Sequence, residues 1–342
     1  MLIPRQLVIE RIMQHETSIT PYTLSFEGDV AKRLDAHYGS PEWRSRLDNA
    51  IVRIPSPDLG IGADTSPSFT DRYGSIWQCD RRPAHLIEPA LKEPSLKGYI
   101  FPDPDDIYPM GWEQAALDMV AQDNGQHFLA AGFGFGLFER TWTLRGFNEA
   151  LMDAAAEPDF YLELVIQVAN HQLALIDHLT RLPIDAIMFS DDWGYQQGVL
   201  LGPDLWRRFI KPQLARQYER VHRAGKVTMS HCCGSIVDII PDLIEIGLDV
   251  LESVQPEARG MNPYELKRRF GSSITFWGGL GSQSTIPFES PARIKEEVAH
   301  LCAEMGRNGG YILAPAKALQ PETPTENSAA VVEAFINQSD SN

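Results

Sequence analysis

Short apolar runs alternate along the chain with longer amphipathic stretches. The runs are IVRIP (51–55), YIFP (99–102), FLAAG (128–132), AIMFS (186–190), KVTMS (226–230), VLESV (250–254), ITFWG (274–278) and YILAP (311–315). Four or five residues are too few for a helix, and several of the runs are ended by Gly, Pro or a polar residue, so each predicts a buried strand. Between them, stretches 112–122, 145–156, 160–179, 203–225, 237–247, 263–271 and 292–306 place apolar residues at helical spacing. Strands alternating with helices imply parallel βαβ units, and eight such units predict an α/β fold, a single (β/α)8 TIM barrel. An open doubly wound sheet is the alternative. It gains no support from a GxGxxG after the first strand, and the glycine-rich GFGFG at 132–136 lacks that spacing and reads as a βα loop.

Two regions break the alternation. Residues 1–45 read as a helical lead-in that packs on the barrel, and 56–98 as a hairpin-bearing insertion after the first strand, on the face where such barrels keep their sites. The barrel proper is expected over 46–338, with a disordered tail at 339–342. A net charge of -16 and a pI near 5.0 argue against nucleic acid or an anionic membrane as partner, since both require a basic face. No stretch has the length and apolarity of a signal peptide or a membrane span, so the expected compartment is the cytoplasm. Thiols stay reduced there, and Cys79, Cys232, Cys233 and Cys302 are then buried, metal-binding or reactive rather than disulfide-bonded.

In a barrel of this kind, side chains at the carboxyl ends of the strands face one site. Those positions here carry Glu139, Arg140 and Arg145, then Asp191 and Asp192, then His231, Cys232 and Cys233. Gln255, Trp277, Gln283 and Lys317 follow the later strands. Each has a structural alternative. A carboxylate after a strand often caps the next helix, a lone histidine is more often a satisfied core group than a ligand, and a tryptophan is usually core. Two adjacent carboxylates at a site mouth could instead bind a cation or divide into acid and base. His231-x-Cys233 has ligand spacing, but zinc requires three or four donors. Cys233 is the better candidate of the two cysteines, because Cys232 is expected to point to the opposite side.

The segments GLFERTWTLRGF (136–147), SDDWGYQQGVLLGPDLWRRFIKP (190–212), HCCGSIVDIIPDLIEIGLDVLESVQP (231–256) and YILAPAKALQPETPTEN (311–327) resemble the uroporphyrinogen decarboxylase superfamily of decarboxylases and methyltransferases. The resemblance implies zinc on His231 and Cys233, with a third cysteine after the last strand. Lys317 stands at that place and is a poor zinc ligand, so zinc is expected to be weakly held or absent unless Glu139 or Asp192 replaces the cysteine. The decarboxylase's RQAGRY carboxylate-binding motif has no counterpart, the early segment reading RLDAHYGSPEW (33–43).

The resemblance therefore favours a methyltransferase that moves a methyl group between a small methylated compound and a corrinoid protein or similar carrier, with Asp191, Asp192, Glu139, His231 and Lys317 as catalytic candidates. Arg140, Arg145, Gln255, Trp277 and Gln283 would bind substrate. Decarboxylation of a carboxylated substrate is the alternative, with Lys317, Arg140 and Arg145 holding the acid. Barrels of this superfamily often dimerise, which adds a homodimer to the expected assemblies.

Overall fold

Successive residues of a strand face opposite sides, and in this chain that alternation builds two cores. The computed structural model describes residues 2–56, 67–80 and 84–338; the predicted tail at 339–342 and parts of the insertion lie outside them. In chain order the strands are β1 (Ile51–Ile54), β2 (Ser68–Thr70), β3 (Ile76–Gln78), β4 (His85–Glu88), β5 (Phe128–Phe135), β6 (Ala186–Ser190), β7 (Gly194–Tyr195), β8 (Gly198–Val199), β9 (Val227–His231), β10 (Val250–Val254), β11 (Thr275–Leu280) and β12 (Tyr311–Pro315). Seven of them form one parallel sheet in the order β1-β5-β6-β9-β10-β11-β12. Spatial order follows chain order, as helical crossovers of constant hand require.

Ile51, Phe128, Ala130, Met188, Met229 and Ile312 pack together inside the curl of this sheet. Val8, from the helix Pro4–Ile12, joins them and plugs the amino end. The intervening residues, among them Leu129, Ile187, Phe189, Leu251 and Leu313, face outward into a second cluster with the surrounding helices. Phe189, for example, meets Tyr218 of the helix Lys211–Arg223 edge to face at 4.9 Å. Removing such a buried ring costs about 3–5 kcal/mol.

The run at 99–102 is not a strand. Ile100 is 87% exposed, and Tyr99 hydrogen-bonds through its hydroxyl to the Tyr73 carbonyl instead of joining a ladder. The eighth position is filled by an extended stretch of the lead-in. Leu313 N–H donates to the Pro21 carbonyl and Thr23 N–H to the Leu313 carbonyl, while Ala50 N–H donates to the Tyr22 carbonyl. Residues 21–23 thus bridge β12 and β1, and the barrel closes.

Between β1 and the barrel's next strand, β2, β3 and β4 form a small antiparallel sheet. Asp71 ties its first turn by accepting Tyr73 N–H, Ser75 N–H and Trp77 Nε1–H. Stretch 145–156 begins earlier than its periodicity predicts, as the helix Leu137–Arg145, and resumes after Gly146 as Phe147–Ala156. Stretch 203–225 contains a π-helical turn at Trp206–Ile210, just before Pro212, whose missing N–H interrupts the regular ladder. Among the described residues, no helix is long and apolar enough to cross a membrane.

Candidate active site

The carboxyl ends of β5, β6, β9 and β10 meet at one place because each βα loop is tied to the next. Asp191, directly after β6, is 1% exposed and accepts Phe138 N–H at 2.9 Å, Glu139 N–H at 2.8 Å and the Trp193 indole N–H at 2.7 Å. It caps the helix that follows β5. Gly136 leaves room for it, since a Cβ there would lie 2.4 Å from the Asp191 Cβ. Burial pushes Asp191 up to about 7 against the pull of these donors. All three donors are N–H groups that favour the carboxylate, and with its oxygens so engaged Asp191 shapes the site from beneath.

Asp192 turns the other way. Its Oδ1 accepts Cys233 N–H at 2.7 Å and lies 3.5 Å from His231 Nε2. Cys233 Sγ is 3.3 Å from the same ring nitrogen. Asp192, His231 and Cys233 thus bring one oxygen, one nitrogen and one sulfur within 4.8 Å of one another. Cys232 is buried and points away, its Sγ accepting Trp193 N–H at 3.3 Å.

Behind the histidine, Nδ1 hydrogen-bonds to Glu252, whose other oxygen is 3.1 Å from Arg53 Nη2. Burial works to lower the His231 pKa, but Glu252 and Cys233 outweigh it and hold it well above the usual imidazole value. The same pairing keeps Glu252 below the ordinary carboxylate range in spite of its burial. Glu252 fixes the ring so that Nε2 faces Asp192 and Cys233. A metal-ligating histidine is commonly oriented in this way by a carboxylate on its second nitrogen. The donor set and its support therefore fit zinc, with three protein ligands.

Glu139 completes the cluster. Burial first, then Asp191 and Asp192, push its carboxyl up to about 9, with His231 and Arg140 opposing. It is a neutral acid at pH 7 beside the donor group.

A match to the family model "Uroporphyrinogen decarboxylase (URO-D)" spans residues 82–337. The chain belongs to the uroporphyrinogen decarboxylase family. This URO-D family member is 24% identical over 184 residues to the uroporphyrinogen decarboxylase of Coxiella burnetii, covering 53% of this chain and 48% of that protein. It is 30% identical over 139 residues to the methylcobamide:CoM methyltransferase MtaA of Methanosarcina barkeri, covering 40% of this chain and 37% of that one. The match thus spans about half or less of the length of these curated relatives. A solved methyltransferase from Methanosarcina mazei superposes with a TM-score of 0.72 at 18% identity and covers 98% of both chains, a likeness of fold.

The URO-D family barrel uses the remaining sequence candidates differently. Lys317 is exposed; its backbone N–H donates to Ser282 Oγ, and the third donor of the cluster is Asp192, not a group at 317. Gln255 accepts Gly234 N–H at 3.0 Å and holds the turn after Cys233. Trp277 is buried, donating to Thr23 Oγ1 and stacking under Arg53 at 5.0 Å. Gln283 reaches Gln196 at 3.4 Å across the loops. Arg145 is engaged by Asp153 at 2.8 Å and by the Leu91 and Lys92 carbonyls. Arg140 lies beside Glu139, buried.

Sequence reasoning missed Arg53, Glu252 and Ser253. Ser253 occupies positive φ, +72°, at a bulge in β10, and its hydroxyl is 3.7 Å from Cys233 Sγ while donating to the Ala316 carbonyl. The signal for Glu252 was a single carboxylate inside the apolar run VLESV.

Proposed function

We propose that the protein is a methyltransferase-like enzyme that moves a methyl group between a small methylated compound and a corrinoid protein or similar carrier. The Asp192, His231 and Cys233 donor group carries this reading, and a relative named as a methylcobamide:CoM methyltransferase supports it. Zinc bound there would act as a Lewis acid on the heteroatom that gives up or receives the methyl group.

The chain's own residues do the rest. The acceptor's electron pair forms the new bond to the methyl carbon as the carbon–heteroatom bond breaks, leaving that bond's electron pair on the heteroatom, which takes a proton. Glu139, neutral at pH 7, donates that proton and recovers it from solvent after product leaves. His231 is held by Glu252, and Asp192 holds the Cys233 backbone, so the three donors are fixed before substrate arrives. The enzyme is proposed to work in the cytoplasm as a homodimer.

Purified enzyme is incubated with methylcob(III)alamin and small thiols, and loss of the methyl group is followed by absorbance. Demethylation that disappears in His231→Ala is expected. No demethylation, together with carbon dioxide release from carboxylated substrates, would instead select the decarboxylase reading, which the buried Arg140 and the relatives named uroporphyrinogen decarboxylase favour. With no RQAGRY segment, uroporphyrinogen itself is expected to be a poor substrate.

A further inference from the structure

Strand β10 does not keep its alternation to the end. Val250 packs in the lumen core and Leu251 in the outer one, so a regular strand would return Val254 to the lumen. It packs in the outer core beside Leu251 instead. The register gives the reason: Glu252 pairs with Trp277 and Val254 with Gly278, which leaves Ser253 as the extra residue of a bulge.

The bulge is held against a backbone cost. Ser253 has a φ of +72°, which a β-carbon disfavours. Gly278, opposite, has a φ of +128°, and a Cβ on it would lie 2.7 Å from Val254 N. A bulge that only bent the chain would be served better by glycine at 253, which adopts positive φ freely. What the serine adds is a side chain. In a regular strand Glu252 and Ser253 would face opposite sides, yet here Glu252 reaches His231 Nδ1 and the Ser253 hydroxyl lies 3.7 Å from Cys233 Sγ. Gln255, brought to the same side by the slip, accepts Gly234 N–H. The end of β10 thus grips His231, Cys233 and Gly234, with one side chain for each.

Ser253 is buried, and its hydroxyl donates at 2.8 Å to the carbonyl of Ala316, just beyond β12. A hydroxyl has one proton and two lone pairs, so with its proton on Ala316 it presents a lone pair to the Cys233 thiol. The sulfur is thereby held between Ser253 and His231 Nε2, which is 3.3 Å away. We infer that Ser253 is a positioning residue for Cys233: the bulge places its hydroxyl against the sulfur, keeps the sulfur aimed at the His231 and Asp192 donors, and supplies a hydrogen bond to it when it holds a metal as thiolate. This rests on the reading of the donor group as a metal site.

Cobalt(II) titration of the full chain, freed of metal by chelator, tests this, since the titration gives an affinity and a cobalt–thiolate bond adds a charge-transfer absorbance. Ser253→Gly keeps the backbone conformation without the β-carbon's cost, Ser253→Ala keeps that cost, and both lose the hydroxyl. Thermal melts should place Ser253→Gly above Ser253→Ala. Both variants should nevertheless bind cobalt about 10- to 100-fold more weakly than the unmodified chain, with a shifted charge-transfer band. A bulge with a purely structural role predicts instead that affinity follows the melting temperature. Affinity and band unchanged in Ser253→Gly, or a loss confined to Ser253→Ala, overturns the inference. So does an unmodified chain that binds no cobalt or shows no thiolate band. Demethylation of methylcob(III)alamin is read separately. A band that depends on Ser253 without demethylation would sink only the methyltransferase reading, and demethylation with a band indifferent to Ser253→Gly would sink only this one.

Discussion

At Glu139 the surroundings decide the protonation state, and the consequence is measurable. Its carboxyl moves from 4.5 to about 9 on folding, so between those values the folded chain holds a proton that the unfolded chain has lost. Stability must therefore fall as pH rises through that window. Glu139→Gln removes the linkage, and its melting temperature relative to the unmodified protein should climb from pH 5 to pH 9 in scanning calorimetry; a constant difference would mean that Glu139 titrates as an ordinary carboxyl. Asp192→Asn keeps the shape and loses the charged donor. Zinc affinity should drop by more than the ~10- to 100-fold typical of outer-shell changes, and turnover by roughly 100-fold. Equal zinc retention under chelator dialysis would remove Asp192 from the ligand set. The sequence presents Asp191 and Asp192 as equivalent. Only the alternation at the end of β6, which sends one toward the helix after β5 and the other toward His231, separates a cap from a ligand.

Among the elements, the loops after β6 and β9 act as one piece. Tyr195 and Ser235 are bridged, and Gly234 is so close to the other loop that a Cβ on it would sit 2.7 Å from the Gly194 carbonyl carbon. Gly234 also holds a φ of +80°. Gly234→Ala is expected to cost about 1–3 kcal/mol in urea denaturation and to lower zinc content, because pushing the loops apart moves Cys233 from Asp192. Normal zinc content in a destabilised variant would show that the contact between the two loops does not hold the donor group together. Seven of the eight apolar runs became strands of the main sheet, since burial on both faces writes itself into composition. The run at 99–102 has the same composition and failed because strand pairing is decided by distant partners. The stretch that took its place did leave a trace, the alternate apolar residues Tyr22, Leu24 and Phe26, inside a region expected to be helical.

For the whole molecule, integrity depends on that same stretch. Tyr22 is 8% exposed, its ring lies 5.6 Å from Phe335, and its hydroxyl accepts Asp48 N–H. Tyr22→Ala should cost about 3–5 kcal/mol in denaturant unfolding, whereas a loss below 1 kcal/mol would show that the sheet holds its curl unaided. The site is remote from this closure in sequence but not in architecture, because Trp277, under Arg53, donates to Thr23. Synthesis adds a temporal dimension. On the ribosome, Tyr22 emerges long before Leu313 exists, so for most of translation the stretch can find Ala50 but not its other neighbour. The nascent chain must carry an unfinished curl with two open edges, each a template for pairing with another copy. Shutting it joins residues 21–23 to Leu313, a contact of very high sequence separation, and such contacts make folding slow. Closure of the barrel therefore waits for β12 to be made.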